Sequence, residues 1–207
     1  MGDLAEDLRH NLAAWDDGPG RLAARTLAAL PLYPRVSVVV LYRLSSWCWR
    51  RRARPLALWL EACAVRRTGA EIHPAARFGR GLGILHSVGI VVGPEVVAGD
   101  GVVLAQGVTL GETGRAKGAP HLGDNVRIGA GAKVLGAVHI GDRAVVGANA
   151  VVLGDVPAGA TVTGVWRGPE RDGTVSVGEG EEAGAPPSPA TDGTTGRTRP
   201  RPTAHGR

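Results

Sequence analysis

His86 is the side chain of this 207-residue sequence that is best suited to do chemistry. An exposed imidazole titrates near neutral pH and can take a proton from a hydroxyl group, as a general base does. Two cysteines, Cys48 and Cys63, have neither metal-site spacing nor a disulfide framework, so they are expected to be packed thiols in a reducing compartment. A single histidine is most often an ordinary surface residue. Its role therefore depends on the elements that position it.

A six-residue repeat from Ile72 to about Gly164 supplies those elements. An aliphatic residue opens each hexad, a glycine often follows, and a small or β-branched residue comes four positions later. A parallel β-helix of hexapeptide turns has this spacing, whereas helices and plain alternating strands do not. Val88 is among the fourth-position residues predicted to be buried. The opening positions are Ile72, Phe78, Ile84, Val92, Ala98, Leu104, Leu110, Leu122, Ile128, Val134, Ile140, Val146, Val152 and Ala158.

The repeat is interrupted in two places, and function is expected there because the faces of a β-helix are flat and its interior is filled. Two extra residues are predicted to bulge outward near His86, between the hexads of Ile84 and Val92. A longer detour runs from Gly111 to His121.

The flanking segments differ in composition from the repeat. Residues 1–70 are predicted to be helical, with an apolar stretch at 36–49 that is too short to span a bilayer and is followed by four arginines within five positions. No signal peptide is visible, because the first residues are acidic and polar. Residues 168–207 are rich in Gly, Pro, Thr and Glu and are predicted to be a disordered tail.

An ordered set of motifs resembles the serine acetyltransferases and their sugar-acetylating relatives among the hexapeptide-repeat acyltransferases. The motifs are EIHP at 71–74, GRG at 79–81, GIVVG at 89–93, QGVTLG at 106–111, LGDNV at 122–126, IGAGAKVLG at 128–136 and VGANAVV at 146–152. The resemblance implies a left-handed β-helix that forms an acyltransferase domain over residues 71–167.

The resemblance also implies a direct acetyl transfer from acetyl-CoA, a co-substrate, to a small hydroxyl acceptor, with no metal. His86 would be the general base, and Glu71 matches the acid that orients it. The family lays the coenzyme between two β-helices of a trimer. The matching coenzyme positions are Gly111, Thr113, Ala130 and Ala148, and Lys133 could meet a phosphate.

The departures from the family pattern concern the acceptor. Leu85 stands where serine acetyltransferases have an Asp, Ala119-Pro120 replaces a His-Pro pair, and Gly118 replaces an Arg. An unpaired buried charge is costly, so recognition of a charged amino acid needs these countercharges. His121 could substitute for the missing histidine. L-serine, as in cysteine biosynthesis, and a sugar of polysaccharide synthesis both stay open as acceptors.

Two other classes of function compete with a transferase. A non-catalytic β-helix could serve as a binding or assembly module. A metal site like that of carbonic anhydrases needs three histidines across an interface, and His86 and His121 do not complete such a set. The net charge of +5 comes mainly from terminal and helical arginines without interleaved aromatics, so no nucleic-acid partner is expected.

The expected assembly is a cytoplasmic homotrimer, with a hexamer less favoured because the helical region is short. Trp47 and Trp49 beside the arginine cluster leave peripheral membrane contact through the N-terminal helices as a further interpretation. The family docks a C-terminal isoleucine into the next enzyme of cysteine synthesis. This sequence ends at Arg207 on a polar tail, so no such complex is expected.

Overall fold

The computed structural model describes residues 2–12, 33–114 and 118–168. Within these residues, three helices precede 15 short strands: α1 (Gly2–Leu12), α2 (Pro34–Arg50) and α3 (Arg54–Thr68). The strands are β1 (Glu71–Ile72), β2 (Arg77–Phe78), β3 (Gly83–Ile84), β4 (Val91–Val92), β5 (Val97–Ala98), β6 (Val103–Leu104), β7 (Thr109–Gly111), β8 (His121–Leu122), β9 (Arg127–Ile128), β10 (Lys133–Leu135), β11 (His139–Ile140), β12 (Val145–Val146), β13 (Val151–Val152), β14 (Thr161–Val162) and β15 (Val165–Trp166). Of the predicted disordered tail, 168–207, all but its first residue lies outside the described residues.

The strands form three parallel sheets around a common interior. Face A contains β1, β4, β7, β10, β13 and β15, face B contains β2, β5, β8 and β11, and face C contains β3, β6, β9, β12 and β14. Each strand pairs with the strand one turn later, so that Ile72 lies beside Val92 and Val92 beside Leu110. The predicted parallel β-helix is therefore confirmed, with four complete turns in the described residues.

The residues that open each hexad fill the interior, as predicted, with one exception. Ala158 is exposed, so its predicted inward position is wrong. The last turn is shorter than the others, because Val156 already bridges to Ile140 on face B four residues after Val152. The hexad register has therefore slipped before Ala158 is reached.

Val88 was also predicted to be buried, and this is wrong. Its side chain is 70% exposed, whereas Ile90 is fully buried. The two extra residues of the bulge move the inward position from Val88 to Ile90. The predicted insertion between Ile84 and Val92 is confirmed, because β3 lies on face C and β4 is the next strand of face A.

Close stacking of the turns explains the glycine after many inward residues. A Cβ atom on Gly123 would lie 2.9 Å from the backbone nitrogen of Asp142 in the following turn. Asp142 also accepts a hydrogen bond from the backbone N–H of Asp124 at 2.9 Å. The turns therefore approach too closely at this corner for any side chain on Gly123.

Helix α1 covers the open edge of the first turn on face C. The buried carboxylate of Asp7 accepts the N–H of Leu82 at 2.9 Å, and the amide of Asn11 bonds both the N–H of Ile84 and the C=O of Leu82. These groups would otherwise lack a strand partner, because no turn precedes the first. Asp7 also forms an ion pair with the guanidinium of Arg43.

Helix α2 covers the same edge on face B. The hydroxyl of Tyr42 donates to the carbonyl of Ala76 at 2.8 Å, and Arg43 donates to the carbonyls of Phe78 and Gly79. Burial lowers the pKa of Arg43, but the nearby carboxylate of Asp7 outweighs it, so the pKa is raised overall. The helices therefore act as the cap of the β-helix.

The other end of the β-helix is closed by Trp166. Its backbone pairs with Val152 and its indole N–H donates to the carbonyl of Asp155 at 3.0 Å. The half-buried ring packs against the core. The backbone and the side chain of Trp166 therefore both contribute to closing this end.

Both cysteines of the helical cap are free thiols. Cys48 is buried and Cys63 is half-buried, which agrees with packed side chains. Within the described ranges, none of the helices combines the length and the hydropathy needed to cross a bilayer.

Candidate active site

His86 lies on an outward bulge between β3 and β4, at the edge where face C meets face A. Its neighbours anchor the bulge: the hydroxyl of the buried Ser87 donates to the carbonyl of Thr68 at 3.0 Å. The N–H of Gly89 donates to the carbonyl of Gly69 at 2.8 Å. The imidazole of His86 is therefore exposed on a loop that is held on both sides.

A cavity of about 420 Å³ lies beside this imidazole. The beginning of α2 forms its second wall, opposite the bulge. The cavity is lined by Tyr33, Pro34, Arg35, Leu85, His86, Ser87 and Val88. The lining is mainly apolar, and Arg35 is its only residue with a permanent charge. Leu85, which was predicted as a substrate residue, is 53% exposed and lines this cavity.

Glu71 is close to the bulge through its backbone, since its N–H donates to the carbonyl of Ile90 at 2.8 Å. Its carboxylate is exposed on face A, and within residues 33–114 no hydrogen bond joins it to His86. Burial raises the pKa of Glu61, and the charge of Glu71 adds to this effect. Burial lowers the pKa of His73, and the charge of Glu71 opposes it.

His73 caps the first corner of the β-helix. Its Nδ1 atom accepts the backbone N–H of Ala75 at 3.0 Å, which closes the first corner of the β-helix. The ring also meets the edge of Trp49, with 5.2 Å between ring centroids. His73 is therefore a structural residue.

Two predicted coenzyme residues lie on the same edge as His86, in later turns. Ala130 is half-buried and Ala148 is exposed at successive corners between face C and face A. The N–H of Asn149 donates to the carbonyl of Ala130 at 2.7 Å, so these corners stack directly. Their small side chains leave the backbone accessible along this edge.

The other predicted coenzyme residues lie on face A and its far margin. Gly111 ends β7, and its carbonyl accepts the N–H of Gly136 at 2.8 Å. Thr113 is exposed just beyond it. Lys133 lies on face A, where its ammonium group donates to the carbonyl of Gly107. The five predicted coenzyme residues therefore line face A and its two edges.

His121 is not brought to the cavity of His86. It lies on face B, where its ring stacks on His139 with 5.2 Å between centroids and 22° between planes. Both rings are exposed. Ala119 is buried at the end of the detour, next to the core. The two residues therefore contribute no group to the space beside the imidazole within one chain.

Arg35 and Tyr33 are the cavity residues that the sequence did not indicate. They lie about 50 positions before His86 and belong to no repeat or motif. A guanidinium at the start of an apolar helix carries no local signal of function. Only the packing of α2 against the bulge relates them to His86.

No group of three or more His, Cys, Asp or Glu residues within the described ranges lies close enough together to hold a metal ion. The polar side chains that line the cavity are the imidazole of His86, the guanidinium of Arg35 and the hydroxyls of Tyr33 and Ser87.

Comparisons with known proteins agree with this architecture. Residues 119–154 match the family described as "Bacterial transferase hexapeptide (six repeats)". A serine acetyltransferase of Helicobacter pylori is 49% identical over 92 residues, which is 44% of this chain and 54% of that protein. One from Synechococcus elongatus is 43% identical over 100 residues, 48% of this chain and 41% of that protein. The chain thus spans about half the length of these curated relatives.

Solved structures extend the match into the helical cap. Soybean serine acetyltransferase complexed with serine has a TM-score of 0.68 and 38% identity, covering 79% of this chain and 68% of that one. Serine acetyltransferase from Brucella abortus in complex with coenzyme A has a TM-score of 0.68 and 34% identity, covering 79% and 64%. The chain therefore belongs to the serine acetyltransferase branch of the hexapeptide-repeat acyltransferases.

Proposed function

We propose that this protein is an acetyl-CoA-dependent O-acetyltransferase with His86 as its general base and L-serine as the first candidate acceptor. The carrying observation is the exposed imidazole on an anchored bulge, beside a cavity of about 420 Å³. The names of the relatives, which include complexes with serine and with coenzyme A, support the substrate classes.

In the proposed reaction, the imidazole of His86 takes the proton of the acceptor hydroxyl. The oxygen attacks the carbonyl carbon of the thioester, and the C–S bond breaks as the tetrahedral intermediate collapses. The imidazolium then returns its proton to the departing coenzyme A thiolate. A placed general base typically contributes a factor of about 10²–10⁴ to the rate.

Two further groups have proposed roles in this step. Glu71 would orient the imidazole and steady the imidazolium, after a side-chain movement that brings its exposed carboxylate to His86. The N–H groups of His86, Ser87 and Val88 donate no hydrogen bond within the described residues. They are therefore available to a developing oxyanion.

We propose that the coenzyme lies along face A, on Gly111, Thr113, Ala130 and Ala148. These residues span both edges of face A, so a second β-helix packed there would turn an open face into a groove. This supports a homotrimer, whose mass would be about three times the 21.3 kDa of one chain. Sedimentation analysis tests this proposal. Lys133 would reach a phosphate by leaving the carbonyl of Gly107.

A neutral sugar is the alternative acceptor. Leu85 is apolar where an acid would pair with the serine ammonium group, and Ala119 is buried and offers no polar group. Both observations favour an acceptor with fewer charged groups than an amino acid has.

Location is a separate proposal. We place the protein in the cytoplasm, where its two free thiols would stay reduced. The exposed Trp47, with the guanidinium of Arg51 over its ring, supports transient contact with an anionic membrane surface. Trp49, which was also expected at this surface, is half-buried and its ring lies against that of His73. Co-sedimentation with anionic and neutral vesicles tests this contact.

The test of the proposed function is release of free coenzyme A from acetyl-CoA by the wild-type protein with L-serine, a neutral sugar or no acceptor. Acceptor-dependent release with either compound supports a transferase, and the better acceptor identifies its class. Binding of neither coenzyme A nor any acceptor would instead favour a non-catalytic binding or assembly module.

A further inference from the structure

The cavity beside His86 contains the guanidinium of Arg35, and its Nε atom has no hydrogen-bond partner within the described residues. The Nε atom of Arg35 is buried, and it is the only buried side-chain nitrogen or oxygen in the described residues that makes no hydrogen bond. Its guanidinium lies over the ring of Tyr33, with Cζ 5.8 Å from the ring centroid. An unsatisfied donor on a charged group is costly to bury, and buried polar groups normally have a hydrogen-bond partner, so a bound anion would stabilise this guanidinium.

The position of Arg35 in α2 adds a second cost. Arg35 follows Pro34 in the first turn of the helix, which contains no acidic residue, and Tyr33 provides no side-chain cap. The helix N-terminus carries a partial positive charge, so a cation there is unfavourable. An anion bound between the guanidinium and the helix start would relieve both costs.

The rest of the cavity limits what that anion can be. Its lining contains no carboxylate and only one hydroxyl that is not aromatic, that of Ser87, which already donates to Thr68. The lining therefore pairs one negative group on the ligand and leaves the remainder against apolar side chains. His86 is in the same cavity, where a hydroxyl of that ligand could reach it.

We propose that Arg35 binds an anionic group, a carboxylate in the simplest case, on the acceptor whose hydroxyl His86 deprotonates. This inference rests on the proposed function, and it makes Arg35 the residue that determines acceptor class. The family-typical loop arginine is replaced by Gly118, and in this chain the cation beside His86 comes from α2. A neutral sugar would leave the guanidinium unpaired, whereas L-serine or an acidic sugar would not.

The kinetic test compares wild type with Arg35→Gln on acceptors that differ in one group. L-serine has both charges, L-serinamide lacks the carboxylate, and glycerate lacks the ammonium group. A hydrogen bond to a charged group contributes about 1.5–3 kcal/mol, which corresponds to a roughly 10- to 150-fold change in an equilibrium constant. We expect Arg35→Gln to raise the KM for L-serine and glycerate by about this factor, with the KM for L-serinamide nearly unchanged.

Two variants serve as controls. Arg35→Lys keeps the charge and should retain part of the acceptor affinity that Arg35→Gln loses. Arg51→Gln removes an exposed arginine at the other end of α2, where its guanidinium lies over Trp47. We expect Arg51→Gln to leave every KM at its wild-type value.

A binding measurement separates this inference from the proposed function. Glycerate should raise the melting temperature of the wild-type protein, while glycerol should not, because only glycerate has the anionic group. Arg35→Gln should abolish the shift. If glycerate stabilises the wild type through Arg35 but no acceptor releases coenzyme A, the anion site stands and the transferase proposal fails.

Two outcomes would overturn the inference while the transferase stands. One is an equal change in KM for L-serine and L-serinamide in Arg35→Gln. The other is a raised KM for acetyl-CoA with unchanged acceptor KM, which would make a coenzyme phosphate the partner of Arg35.

Discussion

Replacing Asp7 by alanine is predicted to destabilise the whole protein, although the residue belongs to α1 and not to the β-helix itself. The side chain is fully buried, and its carboxylate accepts the N–H of Leu82 at 2.9 Å and pairs with the guanidinium of Arg43. The substitution therefore leaves both a buried N–H and a nearly buried cation without their partner. Breaking a buried ion pair from one side typically costs about 3–5 kcal/mol.

We expect the destabilisation caused by Asp7→Ala to lie at the lower end of that range. Arg43 keeps its hydrogen bonds to the carbonyls of Phe78 and Gly79, so its charge remains partly solvated by the backbone. We therefore predict that Asp7→Ala lowers the free energy of unfolding by about 3 kcal/mol. Urea denaturation at one fixed protein concentration measures this change, since association would otherwise alter the apparent stability.

Glu6→Ala is the matched control. Its carboxylate pairs with Arg9 at 2.8 Å, but both side chains are more than half exposed. Such a surface pair contributes about 0–1 kcal/mol. The double variant Asp7→Ala/Arg43→Met should be less destabilised than the sum of its single variants, because it removes the orphaned cation. Equal and small effects of Asp7→Ala and Glu6→Ala would refute the capping role of α1.

Three further predictions concern other parts of the molecule. Burial lowers the pKa of His73, so the unfolded chain binds a proton at this residue more readily than the folded protein does. Thermal stability should therefore fall as the pH drops below about 6.5, and His73→Gln should flatten this dependence. Gly123→Ala would place a Cβ atom 2.9 Å from the nitrogen of Asp142, so we expect a loss of about 1–3 kcal/mol in urea denaturation. Leu85→Asp would give the cavity a carboxylate for an ammonium group, and should lower the KM for L-serine relative to glycerate.

The hexad register predicts the interior of the β-helix because each inward residue is fixed by its neighbours in the turns above and below. It is wrong at Val88 and at Ala158. The bulge at His86 and the shortened last turn each shift the inward position. Those shifts depend on where a chain can turn a corner, and no six-residue window contains that information.

The candidate site was predictable only where it belongs to the repeat. His86 was found because an insertion interrupts the hexads. The outward position of His121 also follows from the register, since it directly precedes the inward Leu122. Arg35 could not be found in this way, because its relation to His86 comes from the packing of a helix against a distant bulge. The capping hydrogen bonds of Asp7 are non-local for the same reason.

The most direct test of the central claim is the rate at which His86→Ala releases coenzyme A from acetyl-CoA with the best acceptor of the wild type. His139→Ala is the control, since that exposed ring lies on face B, away from the cavity. We predict a fall of about 10²–10⁴-fold for His86→Ala, unchanged coenzyme binding, and the wild-type rate for His139→Ala. A His86→Ala variant that transfers acetyl groups at the wild-type rate would contradict the assignment of this histidine as the general base.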